Sequence, residues 1–166
     1  MKPDFKFLIA HPAHFIALGF GTGLAPKAPG TVGTAVAIPI YFACNAIGGA
    51  YLVATMVTVL FVLGVWASAR TGKALGVSDH GGIVIDEIAA FLLVLAFVPS
   101  GPSTYLWVAT AFVVFRVFDI TKPWPIGLAD RTIKGGFGVM FDDLLAALAT
   151  IVFVLTIRAM SVGSLS

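Results

Sequence analysis

The sequence predicts an all-α integral membrane protein, built from about five transmembrane helices and a short N-terminal interfacial or re-entrant helix. The composition is the first observation behind this prediction: 59% of the 166 residues are hydrophobic and 11% are charged, against about 25% charged residues in a soluble domain. The mean hydropathy of +1.03 agrees with it. The second observation is a series of long apolar segments, which indicates one membrane-embedded domain over residues 1–166.

Five apolar segments are each near the ~20 residues that cross a hydrocarbon core. They cover residues 31–47, 51–69, 83–98, 104–120 and 138–157. Residues 14–24 are also apolar but too few to span, so we expect them to form the interfacial or re-entrant helix. His11 and His14 are expected at the membrane interface.

The connections between the segments predict their orientation. Residues 45–50 and 99–103 carry no charge, whereas the opposite connections hold most of the lysines and arginines. Because short cytoplasmic loops are rich in Lys and Arg, we expect the charged connections and the N-terminus in the cytoplasm. The C-terminus is then expected outside.

Charge and cysteine content exclude other classes. A formal net charge of +2 is too small to indicate a nucleic-acid partner. Cys44 is the single cysteine, so it can form no internal disulfide. Lys2 and Lys6 precede a short apolar run as in a secretory signal, but His11 and Pro12 interrupt that run, and we expect the N-terminus to be mature.

Acidic residues collect at one end of the predicted spans. Seven of the eight lie inside or beside apolar segments: Asp79, Asp86, Glu87, Asp119, Asp130, Asp142 and Asp143. A carboxylate near hydrocarbon is costly, so such groups usually face a protein cavity and mark function. Two adjacent acidic pairs in a chain this poor in charge predict a divalent-cation site, and Mg²⁺ suits a few carboxylates plus phosphate oxygens. The alternative for each pair is stabilisation of a helix N-terminus.

Arg116, Asp119 and Lys122 are spaced three residues apart, so they share one face at the end of the fourth span. One interpretation is an ion-paired helix end, with Asp119 neutralised by Arg116 or Lys122. The other has Asp119 on the metal and the two cations on an anionic substrate.

Two glycine-containing segments flank the acids. Residues 26–34, with Lys27 and Thr31, resemble a backbone cradle for an anion at a helix N-terminus, although a plain re-entrant turn is the alternative. Residues 134–138 lead directly into Asp142 and Asp143. His80, just before the third span, is either solvated or a proton donor and acceptor near neutral pH.

The order of these motifs resembles the phosphatidylglycerophosphatase A family of bacterial membrane lipid phosphatases. The likeness runs from about residue 15 to residue 147, with Thr34 where serine is expected and Ala89 and Ala90 where a glycine is expected. The matching segments are GFGTGLAP at 19–26, PGTVGT at 29–34, DHG at 79–81, DE at 86–87, FRVFD at 115–119, KPWPI at 122–126, DR at 130–131, GGFGVM at 135–140 and DD at 142–143.

The resemblance implies a membrane-embedded phosphatase domain in the bacterial inner membrane, with its active site on the cytoplasmic face. The implied reaction is Mg²⁺-dependent hydrolysis of phosphatidylglycerol phosphate to phosphatidylglycerol and phosphate, a step of phospholipid biosynthesis. The partners it implies are this lipid phosphate and the membrane, with no nucleic acid; the oligomeric state is not indicated.

The expected residue roles combine this resemblance with the charges. Ligands of one or two Mg²⁺ ions are expected to be Asp86, Glu87, Asp119, Asp142 and Asp143. Groups expected to bind the substrate phosphate are Lys27, Thr31, Arg116, Lys122 and Arg131. His80 is expected to protonate the leaving glycerol oxygen. The nucleophile is expected to be water, with attack by one of the acids as the alternative.

A functional alternative is a small ion-coupled membrane transporter with an intramembrane carboxylate cluster. Transporters prefer such groups near the midplane of the bilayer, whereas these acids are expected at one face. A membrane scaffold without activity would explain the spans but not five converging acids.

Overall fold

A computed structural model describes residues 2–163, and every regular element in that range is a helix. The elements are α1 (Phe5–Ala10), α2 (Pro12–Ala17), a 3-10 segment (Gly19–Leu24), α3 (Pro29–Leu75), α4 (Ile85–Leu95), α5 (Thr104–Thr121), α6 (Ile126–Thr132) and α7 (Gly135–Gly163). The predicted all-α class is confirmed.

Helix α3 is a helical hairpin rather than one rod. Gly49 interrupts it with φ 59° and ψ −155°, a conformation open to glycine because it lacks a Cβ. An unbroken helix of 47 residues would be about 70 Å long. Both ends of α3 nevertheless meet the same region: Gly33 packs against Val84, and Thr71 contacts α2. The predicted first and second spans are therefore the two arms of α3.

Among the helices in residues 2–163, three are long and apolar enough to cross a membrane: α3, α5 and α7. Helix α4, which covers the predicted third span, has 11 residues and is about 16 Å long, half of a hydrocarbon core. It ends at Leu95, where turns at Ala96–Val98 precede Pro99. The predicted count of about five spans is therefore not confirmed.

Helix α4 is the centre of the molecule. Beyond its acidic first turn the helix is apolar all round, and five of its side chains are completely buried: Ile85, Ile88, Phe91, Leu92 and Leu95. It packs against α3 and α7, while large apolar side chains of α5 and α7 face outward. Such outward apolar faces are expected where lipid is the solvent. The central position of α4 holds Asp86 and Glu87, in its first turn, in a fixed place.

The N-terminal region is more elaborate than the single predicted helix. Helices α1 and α2 meet at His11, whose Nδ1 caps α2 by accepting from the Ala13 backbone N–H at 3.0 Å. His14 was expected at the interface, but it is buried: its ring stacks on Phe7, and its Nδ1 lies 3.0 Å from Thr71 Oγ1. Packing of α2 against α3 therefore buries His14 within the protein.

The glycines of residues 134–138 serve helix packing. A Cβ at Gly136 would overlap the backbone oxygen of Val65 in α3, and a Cβ at Gly138 would overlap that of Ile133. Helix α7 begins at Gly135 and approaches α3 closely at Gly136, while Gly138 lies against the connection that precedes α7. Their value to the site is therefore indirect, because close packing sets where Asp142 and Asp143 lie.

Candidate active site

Three helices bring acidic side chains to one cavity of about 350 Å³. Asp86 and Glu87 are in the first turn of α4, Asp119 is in the last turn of α5, and α7 contributes its two adjacent acids. We call these five residues the acid cluster: Asp86, Glu87, Asp119, Asp142 and Asp143. Each lines the cavity, as the sequence predicted from their common depth.

Three members of the acid cluster approach one another most closely. One carboxylate oxygen each from Asp86, Glu87 and Asp143 lies within 4.8 Å of the others, and we call these residues the acid triad. At the effective dielectric constant of about 20 that suits protein sites, two like charges at that distance repel by about 3 kcal/mol. A bound cation would remove this repulsion.

The acid triad also has buried oxygens without hydrogen-bond partners. Within the described residues, these atoms are Glu87 Oε2 and Asp143 Oδ2. A buried polar atom without a partner costs about 1–3 kcal/mol and calls for an explanation. Oxygen-only donors with open valences fit a hard divalent cation such as Mg²⁺, so the residues present suit the ion that the sequence predicted.

Arg116 bridges two members of the acid cluster. Its Nη1 lies 2.5 Å from Asp119 Oδ2 and 3.3 Å from Glu87 Oε1. The same nitrogen donates to Thr34 Oγ1 at 3.3 Å, and Thr34 in turn donates to the Gly30 carbonyl oxygen at 2.8 Å. The ion-paired interpretation of Arg116 and Asp119 is thus present in the structure, and the pair lines the acid cavity.

Lys122 pairs with acids from two other helices. It ends α5 with a left-handed backbone (φ 42°), and its Nζ donates to Asp142 Oδ2 and, at 2.8 Å, to Asp130 Oδ1. Burial alone lowers the pKa of Lys122, but the hydrogen bonds to the two acids outweigh it and raise the pKa above its ordinary value. Lys122 is therefore positively charged beside the cavity.

The start of α3 forms another wall of the acid cavity. Ala28, Pro29 and Gly30 line it, and the helix begins at Pro29. A Cβ at Gly30 would overlap the Glu87 carboxylate. The helix N-terminus predicted from residues 26–34 is thus at the acids, where its dipole favours an anion.

Four predicted site residues do not line the acid cavity. Lys27 is exposed and Thr31 is half-buried beside Gly30. Arg131 is exposed and donates from Nε to the Gly127 carbonyl oxygen at 2.8 Å. His80 lines a neighbouring cavity instead. The structure therefore does not place these four side chains in the lining of the acid cavity.

Three further residues belong to the acid cavity or support it. Asp79 lines the cavity from the loop before α4. Thr34 holds Arg116, and Gly30 makes room for Glu87. The last two contacts could not be predicted from sequence, since they join residues more than fifty positions apart. Asp79 was already one of the seven acids that lie inside or beside apolar segments, so its presence near the cavity could be predicted.

The comparisons with known proteins follow the same motifs. A family model described as phosphatidylglycerophosphatase A matches residues 15–158. A phosphatidylglycerophosphatase A of Escherichia coli (strain K12) is 39% identical over 141 residues, which cover 85% of this chain and 80% of the relative. One of Haemophilus influenzae (strain ATCC 51907 / DSM 11121 / KW20 / Rd) is 37% identical over 157 residues, covering 95% of each.

No solved structure matches this chain. The family match alone spans most of the sequence, from the end of α2 to the far end of α7, and includes the whole acid cluster with both cations that pair with it. By that match the chain belongs to the phosphatidylglycerophosphatase A family, as its motifs predicted.

Proposed function

We propose that this protein is a phosphatase that hydrolyses phosphatidylglycerol phosphate to phosphatidylglycerol and inorganic phosphate. The names of the two bacterial relatives, at 39% and 37% identity over most of the chain, support this substrate. The membrane helices agree with it, because a lipid monoester is presented at a membrane surface. An ion-coupled transporter has no support from these comparisons.

The observation that carries the mechanism is the charge of the acid cavity. Among the described residues that line it, six are acidic and two are cationic. Such a surface repels a phosphate dianion unless a further cation is bound. We therefore propose that activity depends on Mg²⁺, held by the acid triad, which includes two buried oxygens without hydrogen-bond partners.

When bound, Mg²⁺ would polarise the phosphoryl group and lower the pKa of an attacking water. Asp119 and Asp142, also predicted as ligands, are held by Arg116 and Lys122. They can accept hydrogen bonds from the waters that Mg²⁺ usually keeps. Their cationic partners can donate to phosphate oxygens that face the cavity, which stabilises the charge of the transition state.

The reaction is a hydrolysis with one bond exchanged. The oxygen of water bonds to phosphorus, the bond between phosphorus and the glycerol oxygen breaks, and that oxygen takes a proton. Attack by one of the carboxylates, followed by hydrolysis of the phosphorylated protein, is the alternative. A rapid acid quench with radiolabelled substrate distinguishes the two, because a carboxylate nucleophile leaves labelled protein.

We place the active site at the cytoplasmic face of a bacterial inner membrane. The lysines and arginines of the loops beside the acids support this side, and the two relatives are bacterial. The cytoplasmic face is also where the charged ends of α3, α5 and α7 would meet water.

The decisive experiment measures phosphate release from phosphatidylglycerol phosphate by the purified protein in detergent. We expect release in Mg²⁺, none in excess chelator, and recovery when Mg²⁺ is returned. Full activity in chelator would refute the metal site while keeping the phosphatase. No release under any metal condition, by protein that melts cooperatively, would refute the proposed function.

A further inference from the structure

A second cavity adjoins the acid cavity and has the opposite electrostatic character. It measures about 390 Å³, and we call it the His80 cavity. The residues that line it are Lys2, Pro3, Gly23, Leu24, Ala25, Pro26, Pro29, His80, Gly81 and Gly82. Within the described part of the chain, none of its lining residues is acidic. The two cavities share Pro29 and Gly81, so they are neighbours across the start of α3.

The wall of the His80 cavity is formed by close backbone contact. A Cβ at Gly23 would overlap the Gly82 carbonyl oxygen, and a Cβ at Gly82 would lie 3.2 Å from the Gly23 oxygen. The loop before α4 is thereby held against the 3-10 segment. This contact fixes the position of His80, which the same loop carries.

His80 presents a hydrogen-bond donor. Its Nδ1 accepts from the Gly82 backbone N–H at 3.0 Å, so the neutral ring carries its proton on Nε2. Lys2, a cationic residue, lines the same cavity. A donor and a cation without an acid among the lining residues fit an anion of low charge, and no metal is needed to offset repulsion there.

The proposed substrate has two phosphates on one glycerol. The terminal phosphate is a monoester and is the one hydrolysed, whereas the other is a diester that joins the glycerol to diacylglycerol. The diester has a single negative charge and stays intact. A site for the whole headgroup therefore needs a second, weaker anion subsite next to the hydrolytic one.

We propose that the His80 cavity is this subsite, with His80 Nε2–H and Lys2 contacting the phosphodiester while the monoester lies at the acid cluster. This assignment rests on the proposed function. It makes His80 a specificity residue, in place of the proton donor that its sequence position predicted. The protein would then select lipids whose phosphorylated polyol is attached through a diester, against phosphatidic acid, whose single phosphate is a monoester.

The test compares phosphatidylglycerol phosphate with phosphatidic acid in the same mixed micelles. We expect His80→Ala and Lys2→Ala each to lower kcat/KM for phosphatidylglycerol phosphate by about tenfold, the loss typical of a hydrogen bond to a charged group. The rate on phosphatidic acid should stay unchanged. His80→Gln, which keeps a donor near the Nε2 position, should recover most of the loss, and Lys134→Gln is the charge-matched control.

A second measurement covers the case in which phosphatidic acid is too poor a substrate. The product phosphatidylglycerol has the diester and no monoester, so its inhibition constant should rise about tenfold in His80→Ala and stay unchanged in Lys134→Gln. Equal losses on both substrates, or an unchanged inhibition constant, would overturn the subsite. Absence of phosphate release by the wild-type protein would instead count against the proposed function.

Discussion

The Cα of Gly30 faces the Glu87 carboxylate so closely that no Cβ fits between them. Gly30 is in the first turn of α3 and Glu87 in the first turn of α4, so two helix N-termini meet at the acid triad. The missing side chain lets the backbone of α3 form a wall of the acid cavity while Glu87 keeps its position beside Arg116.

We predict that Gly30→Ala weakens metal binding without unfolding the protein. The new methyl group would push away the flexible end of Glu87 rather than backbone, so the acid triad loses its geometry. The apparent Mg²⁺ affinity in the phosphate-release assay should fall by about tenfold or more, as for other residues that orient a ligand. High Mg²⁺ should restore part of the rate.

Gly33→Ala is the matched control for Gly30→Ala. It lies one turn further along α3, and its Cβ would meet the Val84 side chain at 2.9 Å instead of a carboxylate. It should lower the melting temperature through overpacking and leave the apparent Mg²⁺ affinity unchanged. The reverse pattern in the two variants would contradict the role given to Gly30.

The effect of Asp143→Asn on stability should reverse when metal is added. Without metal, removing one charge from the acid triad relieves repulsion between buried acids, so the variant should melt above the wild type. Saturating Mg²⁺ should raise the melting temperature of the wild type more than that of Asp143→Asn, because a ligand that binds the folded state stabilises it. Turnover should fall by about a hundredfold or more.

Asp4→Asn is the control for that substitution. Asp4 caps α1 by accepting from the Phe7 backbone N–H at 2.8 Å, a bond that asparagine can keep. It should affect neither turnover nor the Mg²⁺-dependent shift in melting temperature. An equal Mg²⁺-dependent shift in wild type and Asp143→Asn would remove that residue from the metal site.

Lys122 and Asp142 should be energetically coupled. The Asp142 side chain is 4% exposed, so Lys122→Met leaves a buried acid with its main partner gone. We expect a loss of about 3 kcal/mol in the free energy of unfolding. Asp142→Asn in the Lys122→Met background should recover part of it, and a double-mutant cycle measures the coupling. If the two substitutions changed the free energy of unfolding additively, the Lys122–Asp142 pair would not be coupled and the prediction would be wrong.

Lys134→Met provides the comparison for Lys122. Its Nζ donates to the Asp130 backbone oxygen at 2.8 Å and is exposed. Surface substitutions of this kind usually change the free energy of unfolding by less than about 0.5 kcal/mol, and we expect the same of Lys134→Met.

The common depth of the acids was predictable, because each occupies the same end of an apolar segment. Which acids approach one another was not. Adjacent residues on a helix point about 100° apart, and this divides Asp142, which faces Lys122, from Asp143, which joins the acid triad. Asp86 and Glu87 are not divided in this way, since both belong to the triad at the start of α4.

The helical class and the two arms of α3 were also predictable, since both depend on hydropathy along the chain. The length of α4 was not. Residues 83–98 are as apolar as a span, yet they form a short central helix surrounded by α3 and α7. Composition alone does not distinguish burial in protein from burial in lipid, and the contact of Gly30 with Glu87 requires the tertiary fold.

Cysteine labelling should place the turn of α3 and the loop before α5 on one side of the membrane. In a Cys44→Ala background, Ala50→Cys and Ser100→Cys should react with an impermeant maleimide only from outside. Lys73→Cys and Lys134→Cys should react only from the cytoplasm, because Lys73 and Gly135 line one cavity at the charged end. Labelling of positions 50 and 73 from the same side would contradict the hairpin.

His14 should make the fold sensitive to mild acid. Burial, with His11 and Arg70 nearby, lowers its pKa below the usual 6.5, so the folded state favours the neutral ring. The contribution of neutral His14 to the free energy of unfolding is then fully present above about pH 6.5. It is lost progressively as the pH falls through the lowered pKa. His14→Asn keeps a group near Thr71 Oγ1 but does not titrate. Between pH 7.5 and pH 5, the melting temperature of the wild type should therefore fall further than that of His14→Asn. Equal decreases would show that protonation of His14 costs the folded state nothing, and the contact with Thr71 would then tolerate the charged ring.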